Sequence, residues 1–231
     1  MKIEKLNLKK LCMFILTSYY TPDYYPLVEK TWEENKVPYC EKHNYSYNLL
    51  RFRWNGMSNA QELKIKHLKN ICNSAAEDDW IWWTGSDLMI TNFLIKLEDI
   101  VDMNYHWVIA SDFNGINADS ILIRNSELGR KYLNLIDSML PTINHWEGEQ
   151  HAIKITHKDY SDIVKVVPQR RMNSYQMNLY KNRPEYAGSN WLDDLGTNGD
   201  WQPGDFVVQW PACPLHQRLQ LFEQYNKMVI K

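Results

Sequence analysis

The sequence predicts an α/β fold: a Rossmann-like, mostly parallel central sheet flanked by helices, with a long C-terminal loop region, in a single domain over residues 1–231. Three observations lead there. Continuous apolar runs of strand length alternate with segments of helical spacing through about residue 167. A stretch near the C-terminus abandons both periods. At 231 residues, with 44% hydrophobic and 23% charged residues, the chain can bury one large core and has the composition of an ordinary globular domain.

Residues 11–17, LCMFILT, form an apolar run of strand length, and the TPDYYP that follows has the chemistry of a turn and a helix start. Residues 25–43 carry a mixed apolar face that Pro38 is expected to kink or split, and residues 45–52 read as a second strand. Residues 61–75 place Leu63, Ile65, Leu68 and Ile71 at roughly helical spacing, ahead of a short, buried, aromatic strand at 80–83. Residues 92–101 suggest a helix, 107–110 and 121–124 strands, and 126–139 a helix with Ser126 as N-cap. Residues 177–204 are dense in Gly, Asn, Asp and Pro with isolated aromatics, which predicts a long ordered loop or lid over 176–205. A strand at 206–209 and a helix at 216–228 close the chain.

In such sheets ligands sit beyond the carboxyl ends of the strands. That rule selects Thr17 and Ser18, then Gly85, Ser86 and Asp87, then Ser111 and Asp112, and finally Gln209.

The 26 Lys and Arg against 28 Asp and Glu leave a net charge of −2, so the balance calls for neither nucleic acid nor an anionic membrane. Ten Trp and fourteen Tyr against six Phe suit a large aromatic core or a cleft that stacks on sugars or bases. Cys12, Cys40, Cys72 and Cys213 lie far apart and read as reduced, buried thiols. The apolar run at 11–16 is too short for a signal or a membrane span, and the chain is expected in the cytoplasm. GxGxxG, GxxxxGK[ST], HExxH and GxSxG are all absent. The seven histidines show no metal-ligand spacing, and Lys64 with His67 reads as a solvated helical face. Glu147 and Glu149, two apart, need a third partner before they could flank a glycosidic bond.

The segments DDWIWWTGSDLMITN (78–92), SDFNGINADSILIRNS (111–126), WEGEQHA (146–152), VVPQRRMNSY (166–175) and PGDFVVQWPACP (203–214), taken in order, resemble glycosyltransferase family 34. NKVPYCEKHNYSY (35–47) looks like that family's early "NK..YA..HGY" element, so the resemblance spans residues 11–225. It implies a GT-A fold and a retaining transferase that moves a hexose, galactose foremost, from a nucleotide sugar, UDP-linked foremost, to a carbohydrate acceptor with an α-linkage. Residues 83–87 match the family's "W.DSD" element, whose carboxylates hold Mn²⁺ or Mg²⁺ against the donor diphosphate.

Gly85 stands where that element has its first Asp, Gln209 where the family has a metal-binding His, and Asp119 where it has a Gly. The implied metal ligands are therefore Asp87 and Gln209. Asp119 is an alternative carboxylate, and Arg170, Arg171 or Arg218 an alternative source of positive charge for the diphosphate. The resemblance further implies Thr17, Ser18, Tyr19, Ser86, Asp87, Asn117 and Arg218 at the donor, Asp112, Glu149 and Gln150 in catalysis, and Asn173 and Tyr175, of the "NSY" element, at the acceptor. Two other readings stand beside it: a degenerate module that binds nucleotide or glycan without turnover, and a transferase acting on modified nucleic acid through basic strips at 64–69 and 170–171.

Overall fold

The structure, a computed structural model, describes residues 13–51 and 60–231. Leu11, Cys12 and Phe52, included in the predicted first and second strands, lie outside the described residues.

The main sheet has six strands in the order β2-β1-β3-β6-β5-β7. They are β1 (Phe14–Tyr20), β2 (Ser46–Arg51), β3 (Trp80–Thr84), β5 (Trp107–Asp112), β6 (Gly115–Arg124) and β7 (Val164–Val167). The β1–β2, β1–β3 and β5–β7 pairs are parallel, and only β6 runs against its neighbours. A small sheet, β4-β9-β8, joins β4 (Leu88–Ile90), β8 (Ser174–Tyr175) and β9 (Val207–Gln209).

β3 shows why the apolar runs are continuous. All five of its residues are buried, with Trp80 and Trp82 in the core on one face and Ile81 and Trp83 in the core on the other. A strand covered on both sides has no polar face to alternate with. On the first face Trp82 stacks on Phe206 at 5.2 Å, beside Tyr39 of α2 (Val37–His43). The second face is covered by α3 (Ala60–Ser74), α4 (Glu127–Met139) and α5 (Glu149–Thr156), which contribute Ile65, Leu68, Tyr132, Leu133 and Ile153. Ser126 caps α4, its Oγ accepting from Gly129 N at 3.1 Å.

Two expectations change. The helix before β2 is not split at Pro38. It runs from α1 (Tyr25–Val28) through a π-helical stretch, Glu29–Lys36, into α2; Val37 N closes the last wide turn on Trp32 O, and Pro38, which has no N–H to donate, follows directly after it. Residues 92–101 form no α-helix and hold only a 3₁₀ turn at Leu97–Asp99. The partners of the first helical bond are spent elsewhere: Leu97 N donates to the Tyr45 hydroxyl at 3.2 Å, Phe93 O is bonded to His43 Nε2 at 2.7 Å, and Asn92 and Phe93 are tied to Ile230.

Residues 176–205 contain only short 3₁₀ turns, with Tyr180, Trp191 and Trp201 packed in one cluster with Trp210. The last helices are α6 (Gln169–Met172) and α7 (Leu215–Asn226). Cys40, Cys72 and Cys213 are buried free thiols. Among the described residues, no helix is long and apolar enough to cross a membrane.

Candidate active site

Two cavities of about 320 and 240 Å³ open where β1 and β3 end. Tyr19, Ala60, Trp83 and Asp119 line both, so they form one groove. Gly85, Ser86, Asp87 and Arg218 wall one half; Lys64, Trp146, Glu149 and Gln150 wall the other.

In the first half, the antiparallel register that pairs Leu88 of β4 with Gln209 of β9 brings Gln209 beside Asp87. Gln209 Nε2 donates to Asp87 Oδ1 at 3.0 Å and to Asp119 Oδ2 at 2.8 Å. The other Asp87 oxygen meets Arg218 Nη2 at 2.9 Å. Arg218 is held in turn, its Nε donating to Trp210 O at 3.1 Å and its guanidinium lying 5.6 Å over the Tyr24 ring. Burial, reinforced by the neighbouring Asp87, pushes the Asp119 carboxyl above the usual carboxylate range.

This group fits the divalent cation that the resemblance implies. Its side-chain donors are hard oxygens, and Gln209 Oε1 is buried with no hydrogen-bond partner among the described residues. Gly85 borders the same group closely, for an added Cβ would stand 3.0 Å from Asp87 Oδ1 and 3.4 Å from Gln209 Nε2.

The loop carrying Gly85 and Asp87 is gripped from behind by the π-helical stretch, a contact that motif reading missed. Thr31 Oγ1 donates to Ser86 O at 2.8 Å, Asn35 bonds both the N–H and the carbonyl of Ile90, and Lys36 Nζ donates to Gly85 O at 3.1 Å. The wide winding brings all three to one side, as π-bulges often do at functional sites. Burial lowers the Lys36 ammonium to about 7, against the raising effect of Asp87. A signal was present, because Lys36 sits on the buried stripe with Trp32, Tyr39 and Cys40 and belongs to the "NK" element.

In the second half, Lys64 Nζ meets Glu149 Oε1 at 3.0 Å and lies 5.1 Å over the Trp83 ring. Glu149 Oε2 has no hydrogen-bond partner among the described residues. Gln150 is held by Ala118 N, which donates to its Oε1 at 2.9 Å, and by Glu147, which accepts from its Nε2 at 2.9 Å. Lys64 and His67 are therefore not a solvated face: both are buried, and His67 Nε2 is bonded to Thr17 Oγ1 at 2.7 Å.

Other predicted residues lie off the groove. Thr17 and Ser18 are buried, the hydroxyls donating to Asn48 O and Thr84 O, so of Thr17, Ser18 and Tyr19 only Tyr19 lines it, next to Tyr20 at the end of β1. Burial pushes the Tyr19 hydroxyl well above the usual phenol range. Asp112 faces a closed polar knot, where Tyr175 OH donates to its Oδ2 at 2.7 Å and Asn117 Nδ2 at 2.9 Å. Burial raises the Asp112 carboxyl despite these bonds. Tyr175 and Asn173 are buried and present no surface to an acceptor. Arg170 is clamped on Asp205, and Arg171 donates to Asp99 O; of the three arginines only Arg218 lines the groove. The fold also brings His145, Glu147 and His151 together, their ligand atoms within 4.8 Å of one another, a proximity that the spacing of the histidines does not reveal. Lys154 pairs with the same Glu147.

Among solved structures, a glycosyltransferase involved in the glycosylation of the major capsid of PBCV-1 is similar with a TM-score of 0.67 at 15% identity, covering 92% of this chain and 99% of that one. The galactosyltransferase LgtC, solved with donor and acceptor sugar analogues, gives 0.59 at 10% identity, covering 95% and 97%. These likenesses show the GT-A fold. An uncharacterized α-1,2-galactosyltransferase of Schizosaccharomyces pombe is 26% identical over 87% of this chain and 60% of its own length. Galactomannan galactosyltransferase 1 of Cyamopsis tetragonoloba is 27% identical over 54% of this chain and 31% of its own. The chain thus spans between about a third and two thirds of the length of these curated relatives. The sequence profile of the galactosyl transferase GMA12/MNN10 family matches residues 13–104 and 101–220, and the chain belongs to that family.

Proposed function

We propose that this chain is a retaining galactosyltransferase domain that moves galactose from a UDP-linked donor to a carbohydrate acceptor with an α-linkage. The observation that carries the reading is the groove itself: a carboxylate and guanidinium at one half, a buried Lys64–Glu149 pair at the other, at the carboxyl ends of β1 and β3. The donor diphosphate would lie along Ser86, Asp87 and Arg218, with Tyr19 beside the base or ribose. Asp87 and Gln209 would hold a Mn²⁺ or Mg²⁺, which supplies charge neutralisation for the departing nucleoside diphosphate.

Arg218 adds a fixed positive charge on the same wall, so charge developing on the leaving group meets a preorganised partner. Glu149 and Gln150 would orient the sugar, and Glu149 Oε2, which has no partner among the described residues, is suited to stabilising oxocarbenium character. The acceptor hydroxyl would attack from the face that the phosphate leaves, giving its proton to a phosphate oxygen, so no side chain need act as base. Asp112 would act through Asn117 and Tyr175 as a positioning residue, because it lines neither half of the groove.

The test is thermal stability with UDP, GDP and their sugar conjugates, with and without Mn²⁺, followed by incubation with UDP-galactose and mannan oligosaccharides. A ligand at about a hundred times its dissociation constant adds about 2.7 kcal/mol. A UDP-specific shift with an α-galactosylated product is the expected result. A shift without product on any glycan would make the chain a binding module, and no shift with any nucleotide would overturn the donor site.

A further inference from the structure

Nothing in the backbone requires glycine at position 85. Gly85 is not among the residues with positive φ, and the chain on either side is ordinary. What a side chain there would meet is the group around Asp87, whose Oδ1 would lie 3.0 Å from the added Cβ and would have to give by a few tenths of an ångström. The same Cβ would stand 3.6 Å from the Cβ of Asp119. Asp119 reaches this group from the neighbouring strand, for β3 and β6 are paired up to Thr84 and Ser120 and Gly85 N donates to Asp119 O at 2.7 Å.

Gln209 supplies the second, independent observation. Its side chain is fully buried and reaches between the two carboxylates, with Nε2 on both and Oε1 without a partner among the described residues. The amide's two ends differ little in shape, so a half-turn puts an oxygen where the nitrogen now sits. One orientation bridges two carboxylates with N–H groups; the other completes a set of three oxygens.

We propose that Asp119 is a ligand of the divalent cation, supplying across the β3–β6 pair the carboxylate that position 85 lacks. Gln209 turns its carbonyl oxygen to the same ion. The carboxylate has changed strand while the charge of the site is kept, and two carboxylate oxygens with an amide oxygen suit Mn²⁺ or Mg²⁺. Arg218 holds the other oxygen of Asp87 and leaves Oδ1 facing the ion. This inference rests on the donor-site reading above.

The experiment is titration of the whole chain with Mn²⁺, alone and with UDP, following free Mn²⁺ by electron paramagnetic resonance. Asp119→Asn should weaken Mn²⁺ binding by at least about tenfold. The paired change Gly85→Asp with Asp119→Gly should bring it back to within about threefold of the original, because it returns the carboxylate to the other strand. Circular dichroism and the thermal midpoint report folding, and the paired variant carries the test should Asp119→Asn fail to fold. Unchanged Mn²⁺ affinity in Asp119→Asn overturns the inference, as does a wild-type chain that binds UDP but no Mn²⁺; in the latter case the donor reading survives. Asp119-dependent Mn²⁺ binding without any effect of UDP supports the ligand assignment and removes the donor reading.

Discussion

The ammonium of Lys64 and the carboxylate of Glu149 meet at 3.0 Å with their side chains only 4% and 7% exposed, in the wall of the groove. Breaking such a pair from one side leaves a buried charge without compensation, at a cost of about 3–5 kcal/mol. Lys64→Met should therefore lower the thermal midpoint by roughly 6–20 °C. The double variant Lys64→Met with Glu149→Gln should recover part of that loss. Glu149→Ala should reduce turnover far more than UDP binding; equal losses in both would take Glu149 away from the reacting sugar.

Tyr175→Phe distinguishes two roles for the "NSY" element. The hydroxyl donates to Asp112 at 2.7 Å and accepts from Asn117 at 2.6 Å, in a site closed to solvent. Its loss should cost about 1–3 kcal/mol of stability. Acceptor KM should stay near the wild-type value in the fraction that remains folded. A large rise in acceptor KM at unchanged stability would return Tyr175 to the acceptor.

Stability should fall with acid through His67. Burial holds its ring below the ordinary 6.5, neutral and bonded to Thr17. The unfolded chain therefore takes up this proton at a higher pH than the folded one, so folding free energy is lost as pH drops below 6.5 towards the folded value. Urea midpoints between pH 7.5 and 5 should show this decline, and His67→Gln should flatten it. His106, also lowered by burial, leaves a residual slope. Identical slopes in both proteins would clear His67 of the effect.

How much of this was legible depended on sequence distance. The buried strands announced themselves because a strand covered on both faces is an unbroken apolar run, as at Trp80–Thr84. β4 and β8, three and two residues long, are too short for any period to register. At 92–101 local pattern suggested a helix, and bonds to His43, Tyr45 and Ile230, all distant in sequence, overruled it. The site divides in the same way. Asp87 and Glu149 sit in recognisable elements, whereas the Gln209–Asp119 contact joins residues 90 apart. Burial then separated Tyr19 from Ser18, its neighbour on the opposite face, and from Thr17, which shares its face but is closed off by His67, a distinction that a strand-end rule does not draw.

The π-helical stretch makes the donor loop sensitive to chain length as well as to residue type. A π turn holds one residue more than an α turn, so deleting one residue between Thr31 and Asn35 would narrow the winding and change the spacing at which Thr31, Asn35 and Lys36 reach the loop. Thr31, Asn35 and Lys36 would all still be present, and an aligned homologue would show nothing but a single gap. A one-codon deletion on the far side of the loop could thus release Gly85 and Asp87 while leaving every residue of the groove unchanged.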